Sequence, residues 1–216
     1  MKIEANAKFI ITGDSVTDCG RARPYGDGNG ALGSGYAMMT AAALDAVYPE
    51  RHIHVVNMGQ SGDTTRELKA RWQHDVLDLK PDWVSVMIGV NDVWRQYDRP
   101  HHPEIHVSLE EYRASLTELV TATLPSLSGM VLMTPFYMGQ EKEEIFRKTL
   151  AGYGQIVRET AEKYGLVFVD TQAAMDAYFA HYTPYAMSGD KIHPNHVGGM
   201  IIARALLKAL EFDWNH

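Results

Sequence analysis

Five short apolar runs punctuate the chain, at 9–12, 53–57, 83–88, 130–134 and 166–170. They are rich in Val and Ile and mostly continuous rather than alternating, which is the pattern of strands covered on both faces. Helical spacing of apolar positions fills the gaps, at roughly 36–47, 65–79, 109–124 and 143–164. A last helix is expected from near Asn195 to about Leu210, with Ile201, Ile202, Ala205, Leu206 and Ala209 as its apolar stripe. Strand and helix thus alternate throughout, and the pattern predicts an α/β domain: a parallel sheet between helices, joined by right-handed crossovers. At 216 residues, 1–216 reads as one domain able to bury a real core. Two stretches read as surface loops. One is 21–35, with Gly26, Gly28, Gly30, Gly33 and Gly35; the other is 97–107, with Pro100, Pro103 and three histidines.

A sheet of this kind binds its ligands beyond the carboxyl ends of the strands. The first run is followed by Gly13-Asp14-Ser15, the second by Met58-Gly59-Gln60-Ser61-Gly62-Asp63, and the third by Gly89-Val90-Asn91-Asp92. Turn chemistry alone favours each of these residue types. Together they bring a hydroxyl, a flexible glycine backbone and a carboxamide to one rim. Near the C-terminus, Asp190 and His193 stand three apart before the last helix, a spacing that lets the carboxylate meet the imidazole Nδ1. Pro194 and Asn195 mark the start of that helix and leave His193 in the loop. A serine hydroxyl is a poor nucleophile until an adjacent base takes its proton. Ser15 is therefore the candidate nucleophile, His193 its base and Asp190 the group that fixes the ring. The backbone N–H groups of Ser15 and Gly62 and the side-chain amide of Asn91 are the candidate oxyanion donors.

Blander readings stand beside these. Ser61 is a rival nucleophile or a turn serine that helps to aim the Gly62 amide. Gly62 also suits the start of a helix, and Asn91 on its own suits a turn. Asp14 and Asp92 read as structural acceptors of loop amides, and Asp63 as the cap of a helix starting near Thr64. Trp94 and Arg95 follow Asn91 on the rim; a flat indole suits a pyranose ring, and packing suits it equally well. His101, His102 and His106, or His52 with His54, raise a metal hydrolase reading, but they form no complete ligand set and read as solvated histidines. The segment from Asp27 to Gly35 lacks the pattern of a phosphate-binding loop.

Charge and composition narrow the partners. With 20 Lys and Arg against 27 Asp and Glu, the net charge is −7, which disfavours nucleic acid and anionic membranes. No stretch has the length of a signal peptide or a membrane span, and Cys19, the single cysteine, allows no intrachain disulfide. A cytoplasmic location is the expectation. Phe212-Asp213-Trp214 forms an aromatic tail that suits either packing on a second subunit of a homo-oligomer or folding back on its own domain.

The four blocks carry a resemblance. Gly13-Asp14-Ser15, Gly62 within Gln60-Ser61-Gly62-Asp63, Gly89-Val90-Asn91-Asp92 and Asp190-Lys191-Ile192-His193-Pro194 resemble the blocks of the SGNH (GDSL-type) hydrolases, with Val16 in place of the leucine that names the pattern. The segments Thr17 to Pro24, Leu68 to Trp72, Pro81 to Ser85, Asn91 to Asp98, Met133 to Tyr137 and Val169 to Ala174 are similar to bacterial acetylxylan esterases of that family. The resemblance spans nearly the whole chain. It implies a three-layer flavodoxin-like fold with five parallel strands in the order 2-1-3-4-5. It also implies removal of acetyl groups from xylose units without cofactor or metal. Gly189 stands where that subgroup leads one to expect a side chain, which bears on the shape of the pocket. The same triad would serve a short-chain carboxylesterase, a thioesterase or a lysophospholipase, and a carbohydrate-binding module with an idle rim is the non-enzyme alternative.

Overall fold

The computed structural model describes residues 1–28 and 30–216, so residue 29 of the first glycine-rich loop lies outside the described residues. In chain order the elements are β1 (Lys8–Gly13), α1 (Ser15–Asp18), β2 (Gly26–Asp27), α2 (Tyr36–Val47), β3 (His54–Asn57), α3 (Thr65–Trp72) and β4 (Trp83–Met87). There follow α4 (Val90–Asp98), α5 (Leu109–Thr123), β5 (Gly129–Met133), α6 (Ile145–Tyr164), β6 (Val167–Val169), α7 (Thr171–Phe179) and α8 (His196–Ala209). The five apolar runs are the five parallel strands, adjacent in the order β3-β1-β4-β5-β6.

The expected count of five strands is corrected to six. The two residues of β2 pair antiparallel with the end of β3, Gly26 opposite Asn57 and Asp27 opposite Val56. Two residues leave no periodicity to read, and the pairing draws Gly26 inward together with Arg21, so the 21–35 segment is only partly a surface loop. The helix expected over 65–79 keeps α-geometry to Trp72 and then widens into a π-turn at Gln73–Leu77. Three helices, α1, α4 and α7, lie where the periodicity gave none.

Strand side chains alternate between two cores, which is why the runs look continuous. Phe9, Ile11, Trp83, Met87, Val131 and Met133 face α2, α7 and α8. Ile10, Val84, Val86, Met130 and Leu132 face α3, α5 and α6. At the C-terminus Phe212 folds back edge-on against Tyr48, with ring centroids 5.1 Å apart, while Trp214 stays half exposed.

Candidate active site

The site lies where strand order reverses. β1 is flanked by β3 on one side and by β4 on the other, so the segments that leave these three strands emerge side by side. Gln60 N–H donates to the Gly13 carbonyl at 2.9 Å, joining the second block to the first. Arg71 of α3 reaches across both strand tips, giving Nη1 to the Met58 carbonyl at 2.7 Å and Nη2 to the Gly13 carbonyl at 3.0 Å. Asp63 is spent on Arg71, at 2.6 Å. It does not cap α3 as the sequence suggested. The cap is Thr64, whose hydroxyl accepts from Arg66 N–H at 3.2 Å, while Glu67 accepts from Thr64 N–H at 2.8 Å to close a capping box.

Ser15 is the first residue of α1, placed directly beyond β1 by the Asp14 cap, whose Oδ1 accepts from Val16 N–H at 3.0 Å. Its Oγ lies 2.7 Å from His193 Nε2, across 178 residues of chain. His193 Nδ1 lies 2.6 Å from Asp190 Oδ2. Burial pushes the Asp190 carboxyl up, but the donors from His193, Ile192 and Ser188 outweigh it and hold it well below the usual carboxylate range. An ionised carboxylate only accepts, so Nδ1 carries the ring proton, and in the neutral ring Nε2 is left to accept from the Ser15 hydroxyl. Asp190 is itself fixed: its Oδ1 accepts from Ile192 N–H and His193 N–H, both at 2.9 Å, and from the Ser188 hydroxyl at 2.8 Å. Asn195 caps α8 through Val197 N–H and ties the loop back to the Ala186 carbonyl.

The three oxyanion candidates gather on the same rim. Among the described residues neither Ser15 N–H nor Gly62 N–H is engaged by a hydrogen-bond acceptor. Gly62 has φ +89°, a left-handed conformation that suits glycine, so its role in shaping the turn is real. Asn91 donates one amide hydrogen to the Asp63 carbonyl at 2.8 Å, which orients the group and leaves its second hydrogen free.

Around this centre the remaining candidates separate. Ser61 gives its hydroxyl to Asp18 at 2.8 Å, whereas the Ser15 hydroxyl meets His193. Asp14 and Asp92 are buried, and burial pushes each carboxyl up to about 7. Asp92 binds the start of α3, accepting from Thr65 N–H and from its hydroxyl, the latter at 2.7 Å. The Trp94 ring lies tilted beside the His193 ring with centroids 6.0 Å apart. Arg95 is 5.9 Å from the Trp94 ring and paired with Asp98 at 2.5 Å. The histidines do not converge: His54 meets Asp27, His102 meets Glu104 and His106 meets the Arg99 carbonyl. Among the described residues no three His, Cys, Asp or Glu side chains are placed to share a metal ion.

Hollows flanking the triad are small. One of about 10 Å³ is bounded by Asp14, Val16, Met87, Val90, Pro135 and Phe136. Another, of about 210 Å³, runs past Val16, Cys19, Pro194 and Asn195. Two wider hollows, about 1050 Å³ beside α8 and about 480 Å³ beside α6, are likewise lined by no triad residue. The residues that sequence reasoning missed are Asp18, Arg21, Arg23 and Arg71, which hold the rim from behind. Their signal was present in the Thr17 to Pro24 motif and, for Arg71, in the Leu68 to Trp72 segment, both of which carried a resemblance but no assigned job.

Residues 11–199 match the family model described as the GDSL-like Lipase/Acylhydrolase family. An acetylxylan esterase of Geobacillus stearothermophilus is 51% identical over 99% of this chain and 98% of its own. The crystal structure of Axe2, an acetylxylan esterase from the same organism, superposes with a TM-score of 0.98 at 51% identity, covering 99% of this chain and 98% of its own. Axe2 has also been crystallised as catalytic mutants in which a serine, an aspartate and a histidine are each replaced by alanine. More distant is the thioesterase 1/protease 1/lysophospholipase L1 of Escherichia coli K12, 28% identical over 86% of this chain and 82% of its own.

Proposed function

Because this chain belongs to the GDSL-like lipase/acylhydrolase family, we propose that it is a serine esterase that removes acetyl groups from acetylated xylose units through an acetyl-enzyme. The observation that carries this reading is the unbroken chain of contacts from Ser15 through His193 to Asp190, in a chain half identical end to end to an acetylxylan esterase. In the first step Ser15 Oγ attacks the acetyl carbonyl carbon and passes its proton to His193 Nε2. The ring becomes cationic, and the Asp190 carboxylate stabilises it. The carbonyl electrons collect on oxygen, in reach of Ser15 N–H, Gly62 N–H and the free Asn91 amide hydrogen. Collapse expels the sugar oxygen, which takes the proton from Nε2. A water then repeats the sequence, His193 accepting its proton, and acetate leaves with Ser15 restored.

The substrate class follows from how open the site is. The Asp190 and His193 side chains are each 44% exposed, which suits an acetyl group presented on a bulky polar carrier. Trp94 beside the imidazole offers an aromatic face to a pyranose, with Arg95 over the same ring as a donor to sugar hydroxyls. The thioesterase and lysophospholipase reading draws on the more distant Escherichia coli relative. Acetate release from acetylated xylo-oligosaccharides, measured beside acetyl, butyryl and octanoyl esters of p-nitrophenol, separates the two. Acetyl esters should be preferred and Ser15→Ala should be inactive; preference for octanoyl would defeat the deacetylase assignment, and activity of the alanine variant would defeat the triad.

A further inference from the structure

Behind the rim, the aspartate of the Thr17 to Pro24 motif joins the first block to the second. Asp18 closes the single turn of helix that Ser15 opens, and it is 3% exposed. Its Oδ2 takes three donors at once: Ser61 N–H at 2.9 Å, the Ser61 hydroxyl at 2.8 Å and Arg23 Nη2 at 2.6 Å. Its Oδ1 is buried without a hydrogen-bond partner among the described residues. A buried carboxylate oxygen left unmet costs stability, so a pair kept for stability alone would be expected to use both oxygens.

What Asp18 grips is the residue before Gly62. The turn that carries Gly62 is fixed peptide by peptide. Gly59 N–H donates to Asn57 Oδ1 at 2.9 Å, and the Gly59 carbonyl accepts from Arg21 Nε at 2.6 Å. Gln60 N–H is held by the Gly13 carbonyl, and Ser61 by Asp18 through both its amide and its hydroxyl. Gly62 N–H is the first amide in the run with no acceptor among the described residues. The turn and α1 lie flush: a Cβ on Gly59 would run into the backbone of Thr17 and Asp18. The nucleophile and the glycine donor therefore rest on one rigid unit, and Asp18 is its side-chain joint.

Resting on the serine-esterase reading above, we propose that Asp18 is a positioning residue for the oxyanion hole. From the helix begun by Ser15 it fixes Ser61 and thereby aims the Gly62 amide at the developing oxyanion, with Arg23 neutralising its charge from the solvent side. The consequence is specific. Loosening the joint tilts a donor that matters in the transition state, so it lowers kcat in both acylation and deacylation. Ground-state binding of the sugar and the His193–Asp190 pair are left alone.

The test is steady-state hydrolysis of p-nitrophenyl acetate over a pH series by wild type, Ser15→Ala, Ser61→Ala, Asp18→Asn and Asp18→Ala. Asp18→Ala should lose about 10- to 100-fold in kcat, with KM within about twofold, since one donor is tilted rather than removed. The acid limb of its kcat/KM profile should stay where wild type has it. Asp18→Asn should recover part of the loss, because its amide oxygen still accepts from Ser61. Ser61→Ala, which keeps the N–H bond, should lose less than Asp18→Ala. An inactive Ser15→Ala beside an Asp18→Ala with wild-type kcat per folded molecule overturns this inference and spares the esterase reading. An active Ser15→Ala overturns the reading itself. If Asp18→Ala does not fold, wild-type kcat in both Asp18→Asn and Ser61→Ala overturns the inference in its place.

Discussion

Asp14 offers the sharpest test of the electrostatics around the nucleophile. It is 2% exposed, and burial raises its carboxyl from 3.8 to about 7, with the charges of Asp92 and Asp63 adding in the same direction and His193 and the Val16 amide opposing. A carboxyl whose folded-state pKa lies above its unfolded value holds its proton more tightly in the native chain. Its contribution to stability is therefore complete below the unfolded value and is lost as pH rises through the folded one. A rise of about 3 units corresponds to about 4 kcal/mol in full, of which about 3 kcal/mol is lost between about pH 5 and about pH 8. Asp14→Asn isolates that loss. The amide oxygen can still accept from Val16 N–H, asparagine caps helices as well as aspartate, and only the charge disappears. Urea unfolding of wild type and variant at a series of pH values reads the difference. The variant should gain on wild type steadily as pH rises, by about 3 kcal/mol across that window, with the two curves nearest each other at the acid end. A stability difference that does not change with pH would refute the argument, because it would mean that the Asp14 carboxylate is not held in its burial-penalised form.

Other expectations follow from the same contacts. Asn91→Ala removes a proposed oxyanion donor and should cost about 10²- to 10³-fold in kcat with little change in KM; a loss under tenfold would take Asn91 out of the proposed hole. Asp190→Asn replaces an acceptor-only group by one that can present N–H to Nδ1, which favours the wrong ring tautomer, and kcat should fall by about 10⁴-fold while circular dichroism is unchanged. Glu67→Ala opens the capping box of α3 and should lower stability by about 1 kcal/mol in urea unfolding. Trp94→Ala should raise KM for acetylated xylo-oligosaccharides more than for p-nitrophenyl acetate, and an equal rise for both would deny the indole a role in holding the sugar.

The parallel strands and most of the long helices were legible because each carries a buried stripe. The helix at 36–47 was placed to the residue, since Tyr36, Ala37, Ala41 and Leu44 mark one face without interruption. The elements that escaped are those whose stripe is short or mixed with site residues. α4 opens with Val90 and Val93 beside Asn91 and Asp92, all four buried, so polar groups serving the site mask the helical face. α1 has four residues, and a single turn shows no period. β2 is shorter still and is created by its partner strand rather than by its own residues.

The triad was legible for a different reason. Its residues sit at predictable places: a strand tip for Ser15, and a three-residue spacing before a helix start for Asp190 and His193. The groups that hold the rim have no such address. Arg71 looks like any surface arginine of α3, yet it binds two carbonyls that are 45 residues apart in the chain, Gly13 and Met58. Asp63 precedes a helix and so reads as its cap, but the nearby guanidinium of Arg71 claims its carboxylate and Thr64 takes over the cap. Local sequence states what a residue can do within its own turn. Where a stronger partner arrives from another element, as a charged pair does against a neutral cap, the long-range contact wins and the local prediction fails. Errors of that kind should therefore collect where several chain segments converge on buried polar groups, which in this fold is the space behind Ser15.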